Sequence, residues 1–266
     1  MKSFICAAAV LLLQAPFAQA AGPGRAKAKH PTANAAVLRE AHLAVTAALT
    51  RIESALAQAA PKTAADPSGT VESLCATLPA ASCAVLDARG RITAIAPKEN
   101  AGLVGADVSQ QDHAAKLLKK RKPVMGDVFV ALQGYPSVGI YRPLFSDQKE
   151  FAGGVGVLVK PEVLLKGALA PWEGRDGRHF WVMDTYGRVL YDSDETQVGK
   201  MLFSDPLYSP HKKLLALSRR IAAQAKGKGE YRFLRAGGTE VVAKSALWDT
   251  VGLHGARWRL VLVQER

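Results

Sequence analysis

Leu38, Ala41, Val45, Ala48, Ile52, Ala55 and Ala59 step along the chain by three and four, the spacing of one helix face. The pattern fills residues 32–60, with Thr32 placed to cap its start and Pro61 just past its end. The seam is narrow and built from small and medium side chains. It suits a second copy of itself, or the body of its own chain, equally well. A polar stretch rich in Pro, Gly and Ser follows at 61–69, then a shorter helical piece at 70–77.

The period then changes. "CAVLDARG" and "RITAIAP" are apolar runs joined by a tight turn at Ala88–Gly90. An Asp at the head of such a turn bonds local amides, and Gly takes a conformation other residues resist. A helix over 109–121 comes next, "SQQDHAAKLLKKR", then the strand-like runs "VMGDVFVAL", "PSVGIYRPLF" and "FAGGVGVLV", stopped by Pro161. The same order then recurs. "HFWVMDTYG" and "RVLYDSD" form a hairpin, a loop covers 195–209, a helix covers 210–225, and "EYRFLR", "EVVAKSALW" and "ARWRLVLVQ" are strands. The two hairpins share one formula: "VLDARGRI" at 85–92 and "VMDTYGRV" at 182–189. Downstream, Gly105 stands 18 residues after Asp87, and Gly199 stands 15 after Asp184. A period of about a hundred residues marks a duplicated domain rather than a solenoid. The expected class is therefore α+β: a long N-terminal helix, then two PAS-like modules at 70–165 and 172–266, each a five-stranded antiparallel sheet with helices.

The first residues address the chain. Lys2, the apolar run "FICAAAVLLL" at 4–13 and "AQA" at 18–20 read as a signal peptide, 1–20, with Ala21 as the mature start and a flexible leader over 21–31. Retention as an N-terminal anchor is the rival. No later stretch approaches the 18 apolar residues of a membrane span. A periplasmic or secreted location is expected. Cleavage removes Cys6 and leaves Cys75 and Cys83, an even pair expected to form a disulfide in an oxidising compartment. Its small loop would add roughly 2–3 kcal/mol. The formal charge of +12 would suggest nucleic acid inside a cell. For an exported chain it reads as a basic surface, with no nucleic-acid partner expected.

Catalytic signatures are missing: there is no Gly-x-Ser-x-Gly, His-Glu-x-x-His, phosphate loop or dinucleotide fingerprint. The six histidines are scattered, with none paired at i, i+4. Neither enzyme activity, cofactor nor metal is expected. "DSDE" at 192–195 lacks the spacing and Gly of a calcium loop and reads as a solvated turn. "HKKLLALSRR" and "KLLKKRK" alternate apolar pairs with basic groups, as on solvated helix faces.

"LDARGRI", "LVGADVSQQDHAAKLLKKRKPVMGDV", "IYRPLFSDQKEFAGGVGVLV" and "MDTYGRVLYDSDETQVGKML", in that order, resemble the double Cache sensor domains of bacterial chemoreceptors and sensor kinases, over about residues 32–266. The resemblance implies a membrane-distal module that holds a small polar metabolite (an amino acid, amine or carboxylate) and a membrane-proximal module after it. Two departures stand out. Where many members carry Arg, Asp and two aromatics at the helix start, this chain has Gln111, Asp112, His113 and Ala114; and it ends at "VLVQER", where members continue into a membrane helix and signalling domain. A membrane receptor or kinase as a separate partner is thus implied. The alternatives are an interaction protein that keeps the fold without a ligand, including a homodimer through the 38–59 helix, and a solute-capture protein for a transporter.

On this reading the distal pocket lies between the first sheet and the 97–115 loop, with Asp112, His113, Phe129, Tyr135, Tyr141 and Arg142 as ligand-binding candidates. Arg142 suits a carboxylate, Asp112 an ammonium group, and the rings an apolar group or a cation. The bland readings are that Asp112 caps its helix and that Tyr141 and Arg142, as strand neighbours, face opposite ways. The second module offers Tyr191, Asp192, Asp194, Tyr208 and Lys244.

Overall fold

The seam of the first helix decides the architecture. In the computed structural model, which describes residues 31–235 and 238–265, α1 runs Pro31–Thr63. Leu38, Ala41, Val45, Leu49, Ile52 and Leu56 are all buried along one stripe. Each large one contributes about 1.5–3 kcal/mol by leaving water. The seam thus packs on the chain's own body, with Leu49 and Leu56 at its centre and the expected Ala48, Ala55 and Ala59 half-buried beside them. The helix also passes Pro61, which was expected to lie beyond its end. A proline this late forfeits one backbone hydrogen bond, and the Thr63 hydroxyl donates to the Ala59 carbonyl at 3.0 Å in the same turn. The Thr32 side chain, the signal segment 1–20 and nearly all of the leader lie outside the described residues. Among the described residues no helix is long and apolar enough to cross a membrane.

The short helix α2, Pro67–Thr77, starts where Asp66 accepts the Gly69 N–H at 2.9 Å, with Pro67 at the first helical position. The disulfide Cys75–Cys83, with Cα atoms 5.8 Å apart, ties α2 to the first sheet.

That sheet comprises β1 (Ser82–Leu86), β2 (Ile92–Ala96), β3 (Val124–Met125), β4 (Phe129–Val130), β5 (Pro136–Phe145) and β6 (Phe151–Val159), with α3 (Asp112–Lys120) between β2 and β3. The order is β2-β1-β6-β5-β3, with β4 also on β5, and every pairing is antiparallel. There are six strands rather than the expected five. "VMGDVFVAL" breaks at Gly126–Asp127, because the Asp127 N–H donates to Asp112 Oδ2 at 2.6 Å instead of to a neighbouring strand.

After α4 (Pro161–Leu169) the second sheet contains β7 (Arg178–Asp184), β8 (Val189–Asp192), β9 (Gly227–Leu234), β10 (Val241–Val251) and β11 (Trp258–Glu265), with α5 (Lys212–Ala223) before β9. Its order, β8-β7-β11-β10-β9, is the expected five-stranded antiparallel sheet. The C-terminal end of α5 is held by the buried Arg259, which donates to the Ile221 and Ala222 carbonyls at 2.8 and 2.9 Å. Lys119 and Lys120 of α3 and the basic residues of α5 face water, Lys116 is half-buried between Asp112 and Asp127, and Leu117, Leu214, Leu217 and Ile221 face the core.

The duplicated turn is reproduced atom for atom. Asp87 Oδ1 accepts the N–H groups of Arg89 and Arg91 at 2.8 and 2.9 Å; Asp184 Oδ1 accepts those of Tyr186 and Arg188 at the same two distances. Gly90 and Gly187 follow with φ of +83° and +93°. The downstream glycines have matching duties. Gly105 N–H donates to Ile92 O and Gly199 N–H to Val189 O, each at 2.8 Å, so each loop is pinned to the first residue of its hairpin's second strand.

Both sheets turn one face to α1. Val138, Ile140 and Val157 of the first and Phe180, Val182, Leu260 and Leu262 of the second share a single core with Leu49, Ile52 and Leu56. The opposite face of each sheet is covered by its own helix and loop, α3 in the first and α5 in the second. Those covered faces are where a ligand could sit.

Candidate ligand cavities

In the first module the covered face is filled by the chain itself. His113, the second residue of α3, is 1% exposed. Its ring lies 4.8 Å from Phe129 and 4.8 Å from Tyr141, stacked on the latter. Gly139 makes the room: a Cβ there would stand 2.4 Å from His113 Cγ. The cavity that remains, bounded by Ser82, Gln111, Gln133, Tyr141 and Leu158, is about 20 Å³, space for one water. His113 Nδ1 has no hydrogen-bond partner. Burial pushes the imidazole down to about 4, so the ring is neutral at ordinary pH.

The six candidates of the first module are therefore divided. His113, Phe129 and Tyr141 come together, as a plug. Tyr135 stands apart, its hydroxyl donating to the Ala81 carbonyl at 3.4 Å and its ring under Lys160 Nζ at 4.5 Å. Asp112 is occupied by the Asp127 N–H and by Lys116 Nζ at 2.7 Å. Arg142 faces away from Tyr141, as strand alternation requires, and pairs with Glu53 of α1. Glu53 is reached from the other module too: His254 Nε2 lies 2.8 Å from its Oε2. One carboxylate on α1 thus holds both modules.

The second module keeps ionisable groups around its cavity of about 40 Å³. Asp192, at the end of β8, is half-buried and lines it, so the expected solvated turn at 192–195 holds only for exposed Glu195, which pairs with Lys166 at 2.6 Å. Burial first, and then the neighbouring carboxylate of Asp194, push the Asp192 carboxyl up to about 7, against the Asp194 N–H bond and Lys244. Asp194 accepts the Thr196 N–H and hydroxyl and the Gln197 amide, which fixes the turn. Lys244, on β10, is 6% exposed and has Glu265 at 3.5 Å. The Tyr208 hydroxyl donates to Gln197 Oε1 at 2.7 Å and closes one side. Of the five residues singled out in this half, four meet here; Tyr191 points to the α1 side, where its hydroxyl donates to Glu173 at 3.2 Å. The aromatic wall of Trp181, Tyr231 and Phe233 and the partner Glu265 carried no sequence signal, since alternate strand positions look like ordinary core. Asp192 lines a second space as well, an open groove of about 430 Å³ between the modules, walled by Val128 and Pro136 on one side and Leu190 and Tyr191 on the other. Among the described residues no group of His, Cys, Asp and Glu could hold a metal ion.

Residues 47–161, spanning the second half of α1 and the first module, match the family model described as HK/GC/chemotaxis protein-like sensor domain. No curated protein matches the chain. Among solved structures, an extracellular ligand-binding receptor from Desulfohalobium retbaense superposes with a TM-score of 0.73 at 24% identity, over 88% of this chain and 41% of that one. This chain thus spans about two fifths of that receptor. The ligand-binding domain of the Pseudomonas aeruginosa amino-acid chemoreceptor PctB, in complex with L-Gln, superposes with 0.62 at 14% identity over 88% and 90% of the two chains. The periplasmic sensory domain of the Campylobacter jejuni chemoreceptor Tlp1 gives 0.56 at 11% identity over 88% and 94%. The chain has the double Cache fold. Borrowing the double Cache names as labels for chain order only, the first, plugged module is called distal and the second, with the ionisable cavity, proximal.

Proposed function

We propose that this chain is an extracytoplasmic sensor module that binds a small polar metabolite and passes occupancy to a membrane-bound receptor or kinase. The observation that carries this reading is the sensor-domain match over residues 47–161 within a tandem double Cache fold. The targeting pattern of residues 2–20 and the Cys75–Cys83 disulfide support an exported location. Closure of a loop on the ligand would bias the sheets, and both sheets rest on α1, so α1 is the element able to carry the bias between modules. Isothermal titration of the chain against amino acids, amines and organic acids tests the reading. Saturable binding of at least one is expected. Silence across all three classes would replace it with the ligand-free interaction reading, which the His113 plug in the distal module favours.

A further inference from the structure

We propose that the proximal cavity is a binding site for a small organic ammonium ion, seated against Asp192 and walled by Trp181, Tyr231 and Phe233. This rests on the sensor reading above and names its site and ligand class.

The charge balance of the cavity gives the sign of the ligand. Asp192, Asp194 and Lys244 line it, Glu265 adjoins Lys244, and His179 stands on its rim beside Glu173. The cations already have partners: Lys244 has Glu265 at 3.5 Å, a carboxylate it shares with Arg235 at 3.3 Å, and His179 has Glu173 at 3.2 Å, which raises the His179 imidazole. Asp194 is spent on its own turn. Asp192 Oδ1 accepts the Asp194 N–H at 2.9 Å, while among the described residues no cation lies within 4.0 Å of the carboxyl. One carboxyl group is thus left facing the cavity with no cation in contact, and Lys244 acts on it only from beyond 4.0 Å.

Burial and the charge on Asp194 hold that carboxyl up at about 7. A cation arriving within about 4–6 Å would favour the ionised form. The aromatic wall adds to the preference, because ring faces attract cations, more strongly when water is excluded. Size sets the other bound. About 40 Å³ is the space of roughly three waters, which suits an ammonium group carrying one to a few carbons and excludes a large amine unless the 195–209 loop opens. The apolar remainder of the lining, Leu202, Leu214 and Val263, suits an alkyl stem.

The test is calorimetric titration of the whole chain with methylammonium, ethylammonium and ethanolamine, with potassium chloride and sodium acetate as controls. An organic ammonium should bind, and its affinity should fall about tenfold or more between pH about 8 and about 5, as Asp192 takes up its proton. Titration near neutrality in buffers of different ionisation enthalpy should show proton release on binding. Asp192→Asn should abolish binding and the exposed Glu99→Gln should leave it unchanged. Proton release reads the site without any variant, so a misfolded Asp192→Asn does not spare the proposal. Equal binding of potassium, binding of acetate alone, binding without proton release, or amine binding that survives in folded Asp192→Asn would each overturn it. If another metabolite class binds and amines do not, this inference falls while the sensor reading stands. If nothing binds, both fall.

Discussion

The two modules begin with the same turn and end with opposite interiors. Asp87 and Asp184 make identical backbone bonds, and Gly105 and Gly199 pin the following loops in the same way. Beyond that frame, the distal module places a neutral imidazole between two aromatic rings and leaves space for one water. The proximal module surrounds its space with carboxyls and an ammonium group. The contrast teaches that this fold is held by its turns and its α1-facing core, while the covered face of each sheet is free to diverge. The plugged cavity gains packing, whereas the charged cavity tolerates groups whose ionisation folding disturbs.

The largest effect should come from the element both modules share. Ile52→Asp puts a charge into the common core and should cost about 4 kcal/mol or more. Far-UV circular dichroism on heating should show both sheets lost together. Survival of one module's transition would separate the two cores that α1 joins.

The plug itself comes next. His113 is held near 4 when folded and titrates near 6.5 when unfolded. Between those values the unfolded chain binds more protons, so stability is full above pH about 6.5 and falls as pH drops towards 4, by about 3 kcal/mol in all. His113→Phe keeps a ring against Phe129 and Tyr141 and should remove that slope in urea melts run across the acid range. Asp192 has the opposite sign. Its folded value is raised, so its contribution is full below the ordinary carboxylate range and is lost as pH rises through about 7. Asp192→Asn should therefore flatten the neutral side of the same profile. Slopes of one sign in both modules would contradict the contrast drawn between their interiors.

Breaking the disulfide should act on the distal module alone, since Cys75 and Cys83 lie in α2 and β1. The paired change to Ser should cost roughly 2–3 kcal/mol, seen as faster hydrogen exchange in β1 and β2 with β7 and β8 unchanged. The smallest effect is expected at the clamp. Glu53→Gln removes the charge that Arg142 and His254 share, at about 1–2 kcal/mol for partly buried charged bonds. It should show as increased exchange in the 252–257 turn and little change in either cavity.

Periodicity and turn chemistry are local, so the sequence by itself determined the helix seam, the tandem order, the two Asp–Gly turns and the disulfide pair. A strand period of two also told that Tyr141 and Arg142 part company. The sixth strand escaped it, because the break at Gly126–Asp127 depends on Asp112, fifteen residues away. Only the tertiary structure decided which covered face stays chemically open. That choice depends on groups distant in sequence: Gly139 clears space for His113, and β8, β10 and β11 bring Asp192, Lys244 and Glu265 around one cavity. It also decided that the α1 seam serves the chain's own core, since a seam of small apolar residues fits any complementary surface and the two sheets supply the nearest one.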